Sequence, residues 1–209
     1  MTISWYGEAC FLLESGGVRI LIEPPQKESG INPPRLKSDV LIYSHEITEG
    51  SPRSSEETFV IDSPGEYEIK GVNIQGIADN ENIIYNIKMD DIKISHLGFA
   101  NKKFDNEKLA ELDDPDIVLV PAGGGEILDA KEAMNVINQL EPNIAIPMLY
   151  EIKGLKIKRA PLLPFLKESE AKQSPQQKLT IKKKDLTEEE TRIVILSPYG
   201  RSPEGREQS

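Results

Sequence analysis

Two short apolar runs flank the strongest helical pattern in this sequence, and this unit constrains the fold more than any other feature. Residues 117–120 and 144–146 are entirely apolar, as expected for strands that are buried on both faces. Residues 129–141 lie between them and place five apolar side chains on one helical face: Ala130, Ala133, Met134, Ile137 and Leu140. Because a strand–helix–strand unit is typical of parallel sheets, we expect helices packed against a sheet.

The boundaries of this helix can also be read from the sequence. Asp129 is a suitable N-cap, and Glu132 three residues later is suited to a capping box. Pro142 cannot continue the helix. We predict shorter helices over residues 105–112 and 161–168.

The first half of the chain is dominated by predicted strands. Short apolar or alternating segments are separated by glycine, proline and aspartate turns. The predicted strands cover residues 3–6, 9–14, 18–23, 40–44, 59–62, 67–69, 72–77, 83–89 and 92–97, with closing strands at 179–181 and 192–196. Many strands followed by strand–helix–strand units predict an α/β layered architecture.

Composition limits the classes of function. The 209 residues carry a formal net charge of −10, which disfavours a surface that binds nucleic acid. Cys10 is the only cysteine, so no intrachain disulfide is possible, and a reducing compartment fits best. No signal peptide or membrane-spanning run is apparent, and we expect a cytoplasmic protein. We expect one domain over residues 1–196 and a disordered tail over 197–209.

Several short motifs, in register over most of the chain, resemble one known family. They are Trp-Tyr-Gly-Glu-Ala-Cys-Phe at residues 5–11, and further motifs at residues 64–69, 96–98, 120–125, 129–133 and 146–148. This set resembles metallo-β-lactamase-fold hydrolases, in the branch similar to ascorbate-6-phosphate lactonase. The resemblance implies a four-layer αββα sandwich, an active site at the shared edge of the two sheets, and a zinc or manganese cofactor.

The same resemblance implies that most metal ligands are missing. The family carries a His-x-His-x-Asp-His signature after a strand, and its two metals share a hydroxide that attacks the substrate. Aligned with that signature, this chain has His45, Ile47, Glu49 and Gly50. Phe99 stands where the family has a bridging aspartate, and Leu149 where it has a histidine; Glu8 replaces a frequent His or Gln. Relatives also carry a His-Asp pair in a loop that is too short here, at residues 78–82.

Weaker candidates for a metal site remain. His45, Glu49 and His96 could serve a single metal, although a strand histidine is usually a structural hydrogen-bonding residue. A group of carboxylates could hold a hard cation through oxygen atoms: Glu8, Glu46, Glu49, Asp62 and Glu66. Residues 123–125 are three glycines that favour a tight turn over an anion site, and Cys10 is expected in the core.

We therefore expect a degenerate, non-catalytic family member that binds a protein or a small ligand and needs no cofactor. It could form a homo-oligomer, or a hetero-oligomer with an active relative, and we expect neither nucleic acid nor membrane as a partner. The alternative is a residual metal-dependent hydrolase of a phosphodiester, lactone or similar ester. If the old metal pocket has filled, Ile47, Phe99 and Leu149 should lie close together and be buried.

Overall fold

The fold is built from two mixed β-sheets that pack face to face. The structure is a computed structural model, and it describes residues 1–32, 34, 36–45, 47, 57–172, 174–186 and 190–199. The strands are β1 (Thr2–Gly7), β2 (Cys10–Ser15), β3 (Val18–Ile22), β4 (Val40–Ile42), β5 (Phe59–Ile61), β6 (Gly65–Ile69), β7 (Val72–Asp79), β8 (Asn82–Met89), β9 (Ile92–His96), β10 (Ile117–Pro121), β11 (Ile144–Met148), β12 (Lys178–Thr180) and β13 (Arg192–Ile193).

Each sheet joins an antiparallel half to a parallel half. The six-stranded sheet has the order β12-β1-β2-β3-β4-β5, and β3, β4 and β5 are parallel. The seven-stranded sheet has the order β13-β11-β10-β9-β8-β7-β6, and its first four strands are parallel. The parallel strands β3, β4, β9 and β11 all end at the candidate site described below, which is the usual location of sites in such sheets.

The main hydrophobic core fills the space between the two sheets. Alternate residues of the strands point into it, including Trp5 and Phe11 from the first sheet and Tyr85 and Leu119 from the second, all with 0% exposure. Residues of opposite parity on the seven-stranded sheet form a second core beneath the helices, with Val118 and Val120 at its centre. The runs 117–120 and 144–146 are therefore buried on both faces, as their composition predicted.

Three α-helices pack on the outer face of the seven-stranded sheet. They are α1 (Asn106–Glu111), α2 (Ala130–Leu140) and α3 (Leu163–Glu168). The predicted capping box is present at α2, where Asp129 accepts from the Glu132 N–H and Glu132 accepts from the Asp129 N–H. The helix ends at Glu141, which adopts a left-handed conformation immediately before Pro142.

The outer face of the six-stranded sheet is covered differently. Its small apolar cluster, centred on Cys10, Leu12 and Tyr43, is packed by Leu36 and Ile47 from irregular segments. In the part of the chain that the structure describes, no α-helix belongs to this layer. The two packed sheets confirm the predicted αββα class, and the described α-helices all lie on the seven-stranded side.

The C-terminal region differs from the predicted closing strand. The predicted strand 192–196 is reduced to β13, followed by a single bridge between Gln176 and Leu196. Within the segment predicted as a disordered tail, the Tyr199 N–H donates to the Trp5 carbonyl at 2.6 Å, and residues 200–209 lie outside the described residues. None of the described helices has the length and apolarity needed to cross a membrane.

Candidate functional site

An open cleft of about 310 Å³ lies where strands from both sheets end. Glu8 and Ala9 come from the β1–β2 turn, and the segment after β3 contributes Glu23 to Gln26 together with Glu28 and Ser29. Tyr43 and His45 follow β4, Phe99 follows β9, and Ile157 follows β11. The cleft thus occupies the shared edge of the two sheets, the location that the family resemblance implies.

The polar floor of the cleft is a carboxylate–imidazole pair. His45 Nδ1 lies 2.8 Å from Glu23 Oε1, and the Glu23 side chain is 5% exposed. Glu23 Oε2 accepts a hydrogen bond from the Ser44 N–H at 2.7 Å and a second one from the Ser44 hydroxyl. Both oxygens of Glu23 are therefore engaged, and the side chain is fixed in place.

The Glu23 contact sets the protonation of His45. The carboxylate raises the pKa of the His45 imidazole above its ordinary value, and this effect exceeds the opposing effect of partial burial. Because Nδ1 faces the carboxylate, the other ring nitrogen, Nε2, is the atom of this ring left to interact with a ligand.

Two aromatic rings hold the imidazole from its sides. The Phe99 ring lies edge-on to His45, with centroids 5.5 Å apart and an interplanar angle of 82°. The Tyr43 ring makes a similar contact at 6.2 Å. The position at which the family resemblance implies a bridging aspartate thus carries a ring that packs against the histidine and donates nothing to a metal.

A second buried carboxylate is neutralised by an arginine. Glu8 Oε2 lies 2.9 Å from Arg159 Nη2, and the two side chains are 7% and 9% exposed. The Glu8 carbonyl accepts hydrogen bonds from Trp5 Nε1 at 2.8 Å and from the Leu149 N–H at 3.3 Å. Glu8 is therefore a fixed wall of the cleft with its charge compensated.

Backbone strain is concentrated at this site. Glu8, Glu23 and Leu149 adopt left-handed conformations with φ of 48°, 51° and 59°, and all three residues are buried. The other described non-glycine residues with positive φ are exposed turn or helix-end residues. Buried residues in this conformation cost of order 1–3 kcal/mol each and cluster at functional sites. The strain supports a binding role for the cleft.

His96 is separate from the cleft. It is fully buried, its Nε2 lies 3.0 Å from the Ala9 carbonyl, and its Nδ1 accepts from the Gly98 N–H at 3.1 Å. Burial lowers the pKa of His96, so the ring is neutral with its proton on Nε2, directed at Ala9. Both ring nitrogens are engaged by the backbone, which leaves neither for a metal.

The prediction that three apolar residues fill the old pocket together is wrong in part. Phe99 and the fully buried Leu149 pack against the core between the sheets, but Ile47 packs against the separate cluster outside the six-stranded sheet. The cleft also remains open. Glu46, Glu49 and Gly50 lie outside the described residues. Asp62 and Glu66 are exposed and do not line the cleft, so the predicted carboxylate group is not assembled by the described residues.

Two residues of the site were missed at the sequence level. Glu23 ends a predicted strand that runs parallel to the strand delivering His45, and this parallel pairing was the signal that could have placed them together. Arg159 lies in an irregular segment, and no local pattern links it to Glu8.

The described residues do not fit a dinuclear metal centre. No group of three or more His, Cys, Asp or Glu side chains among them could hold a metal ion. Of the available donors, Glu8 is paired with Arg159, Glu23 with Ser44 and His45, and both nitrogens of His96 with the backbone. A catalytic zinc needs about three protein ligands and an open position.

The two packed sheets and the cleft at their shared edge define the metallo-β-lactamase fold class. The model of the beta-lactamase superfamily domain matches residues 2–149, and the chain belongs to this family.

Comparison with known proteins supports the same class. A metal-dependent hydrolase of Thermoplasma acidophilum is 27% identical over 188 aligned positions, covering 72% of this chain and 83% of that protein. A candidate Zn-dependent hydrolase of the metallo-β-lactamase superfamily from Thermotoga maritima superposes with a TM-score of 0.81 at 31% identity, covering 94% of this chain and 98% of the other. Igni18, a metallo hydrolase from Ignicoccus hospitalis, superposes with a TM-score of 0.67 at 17% identity over 95% of both chains, which supports the fold alone.

Proposed function

We propose that this chain is a non-catalytic metallo-β-lactamase-fold protein that binds a small ligand in its cleft without a dinuclear metal. The contact between Phe99 and His45 carries this proposal. A ring packs against the histidine where the family resemblance implies a metal-bridging carboxylate. Converting the pair into a metal site would require the ring to leave and a buried charge to replace it.

The surroundings of His45 support the same conclusion. Nδ1 is occupied by Glu23, whose second oxygen is held by Ser44, so moving the carboxylate to a metal would break several contacts at once. Leu149 is fully buried and Ile47 is used to cover the six-stranded sheet. Neither side chain has a donor atom.

The chemistry of the cleft indicates the kind of ligand. Its walls include Pro24, Pro25, Phe99 and Ile157, and its floor presents the outer edge of His45. Apolar walls with a small number of convergent polar groups are typical of small-molecule sites. We infer a compact, largely apolar ligand with one hydrogen-bonding group directed at His45 Nε2.

Metal content tests the absence of the dinuclear centre. The protein is incubated with Zn²⁺ or Mn²⁺, dialysed, and analysed by mass spectrometry of the metal, with the His45→Ala variant treated identically. We expect the two proteins to retain the same trace amount. Near-stoichiometric metal that disappears in His45→Ala would overturn the proposal.

Ligand binding tests the second part of the proposal, that the cleft binds a small molecule. A set of small aromatic acids and amides is screened by NMR, with the His45 imidazole and Phe99 ring signals as reporters. We expect binders to shift both signals, and His45→Ala and the cleft-filling Phe99→Trp to abolish binding. Compounds that bind equally well to Phe99→Trp would place the ligand elsewhere and contradict the proposal.

The second candidate is a residual metal-dependent hydrolase of a phosphodiester, lactone or similar ester. It is favoured by the names of the relatives, several of which are called metal-dependent hydrolases. Membership of such a family points towards a metal cofactor, with His45 and Glu49 as the residues to hold it. Metal-stimulated hydrolysis of a generic phosphodiester or lactone that is lost in both His45→Ala and Glu49→Ala would establish this candidate.

A further inference from the structure

The outer face of the seven-stranded sheet carries two polar rows at one end. One row runs across four strands through Glu66, Gln75, Asn86 and Ser95, and the next runs through Glu68, Asn73, Lys88 and Lys93. These eight residues are called the open sheet face. The same face is apolar further along the strands, at Ile77, Ile84 and Leu97, where it belongs to the core beneath the helices.

The open sheet face begins where α1 ends. Leu112 and Asp113, which follow α1, border a groove of about 550 Å³ whose floor is the two polar rows. Of the eight side chains, those of Glu66, Glu68, Asn73, Gln75 and Lys88 are exposed. The groove is distinct from the cleft at His45, with which it shares no lining residue.

Charge on the open sheet face is separated by strand. Both acids lie on the edge strand β6, the middle strand β7 carries the amides Asn73 and Gln75, and Lys88 lies on β8. Glu66, Glu68 and Lys88 have no ion-pair partner among the described residues, whereas Lys93 pairs with Asp113 at 2.8 Å. Neighbouring strands are about 4.8 Å apart, so Glu68 on β6 and Lys88 on β8 lie at equal distances on either side of β7.

We propose that the open sheet face is a symmetric interface with a second copy of this chain. A two-fold axis parallel to the strands and above β7 places β6 of each copy over β8 of the other. Glu68 then lies opposite Lys88 of the second copy, and the symmetry makes this pair twice. Asn73 meets its own counterpart, and an amide can pair with itself because it both donates and accepts.

This arrangement explains why a second copy fits better than an unrelated partner. A chain with a net charge of −10 repels its own copies, so self-association requires a local patch that is complementary to itself. The open sheet face forms such a patch, because glutamates lie on one side of β7 and Lys88 lies on the other. Because exposed ion pairs are individually weak, the dimer is expected to be concentration-dependent and sensitive to salt.

Charge reversal tests the proposed interface in the full-length protein. Glu68→Lys places lysines opposite lysines, and Lys88→Glu places glutamates opposite glutamates. We expect each single variant to weaken self-association about 10-fold or more, measured by sedimentation velocity at low ionic strength. Each variant should retain the circular dichroism spectrum of the parent protein, and Lys131→Glu, on the exposed face of α2, should dimerise like the parent.

Mixing the two single variants is the decisive measurement. In a mixed dimer, the lysine introduced by Glu68→Lys in one copy faces the glutamate introduced by Lys88→Glu in the other. The unchanged Lys88 of the first copy faces the unchanged Glu68 of the second, so both pairs become complementary again. We expect association in the mixture and in the double variant Glu68→Lys/Lys88→Glu, and little in either single variant. A parent protein that stays monomeric up to about 1 mM at low salt, or a mixture that does not associate, would overturn the proposal.

Discussion

The Glu23–His45 pair shows how the role of one residue depends on a neighbour that is distant in sequence. A histidine at the end of β4 is compatible with a metal ligand, a general base or a structural residue. The carboxylate at the end of β3 restricts these roles because it contacts Nδ1 and favours the protonated imidazole. Sequence reasoning identified His45, but the residue that determines its chemistry became visible only when β3 and β4 were paired.

The pair predicts how the two histidines titrate. We expect His45 to titrate above its ordinary pKa of about 6.5 and His96 below it, because Glu23 stabilises one charged ring and burial disfavours the other. In Glu23→Gln the pKa of His45 should fall, while that of His96 should change less. NMR titration of the ring protons measures both values, and the sequence contains no other histidine.

The direction of the His45 pKa shift determines how the unfolding free energy changes with pH. Since the folded pKa lies above the unfolded one, the Glu23 contact stabilises the protein fully at pH values below about 6.5. This stabilisation is lost as the pH rises through the folded pKa. The difference in unfolding free energy between the parent and Glu23→Gln should therefore shrink with rising pH. A His45 pKa that is unchanged in Glu23→Gln would contradict the assignment.

At the scale of secondary-structure elements, the carboxyl end of β10 requires a glycine for a steric reason. A Cβ on Gly123 would lie 1.9 Å from the carbonyl oxygen of Leu149, which follows the neighbouring strand β11. The Gly123 carbonyl also accepts from the Ala160 N–H at 2.8 Å. Three consecutive glycines in the sequence indicated a tight turn, but the contact that makes one of them necessary lies between two parallel strands.

Alanine substitutions distinguish the steric clash at Gly123 from the conformational strain of a side chain at a positive φ. Gly123→Ala should destabilise the protein by about 3 kcal/mol or more, because backbone must move to admit the Cβ. Gly125→Ala should cost only about 1–2 kcal/mol, because its positive φ is strained by a side chain but no atom lies within 4 Å. Urea denaturation measures both. Equal costs at the two positions would show that the turn, and not the contact with Leu149, governs this segment.

At the scale of the whole molecule, the two sheets are joined at the cleft by a small number of polar contacts. Tyr85 of the second sheet donates to the Tyr43 carbonyl of the first at 2.9 Å, and the Ile83 N–H donates to the Ser44 carbonyl at 2.8 Å. The Glu8–Arg159 pair adds a charged link between the β1–β2 turn and the segment after β11. These contacts fix the distance between the walls of the cleft.

A double-mutant cycle measures the charged link. Arg159→Met leaves the buried Glu8 carboxylate without its partner, and we expect a loss of about 3–5 kcal/mol in unfolding free energy. Glu8→Gln combined with Arg159→Met should recover much of that loss, since the buried charge is then removed as well. Lys158→Met, at an exposed neighbouring lysine, is the matched control and should be close to neutral. A cost for Arg159→Met no larger than that control would contradict a structural role for the pair.

Much of the fold was determined by local patterns in the sequence. Apolar runs, glycine and aspartate turns and the Asp129–Glu132 capping box depend on neighbouring residues, so the strands and α2 were predicted close to their observed bounds. The short motifs, which are also local patterns, indicated the αββα class and the position of His45. The predicted strand 192–196 was too long, because only its first two residues pair with β11.

Only the tertiary structure decided how the site is assembled. Glu23 meets His45 through parallel strand pairing, Arg159 meets Glu8 across 151 positions of sequence, and Ile47 packs outside the six-stranded sheet instead of beside Phe99. Such contacts leave no local pattern, because the two residues of each contact are distant in sequence and meet only when the chain folds. The sequence by itself determined which elements form and identified Glu8, His45 and Phe99 among the residues that line the cleft. The packing of the two sheets determined which other residues join them and which of these residues touch.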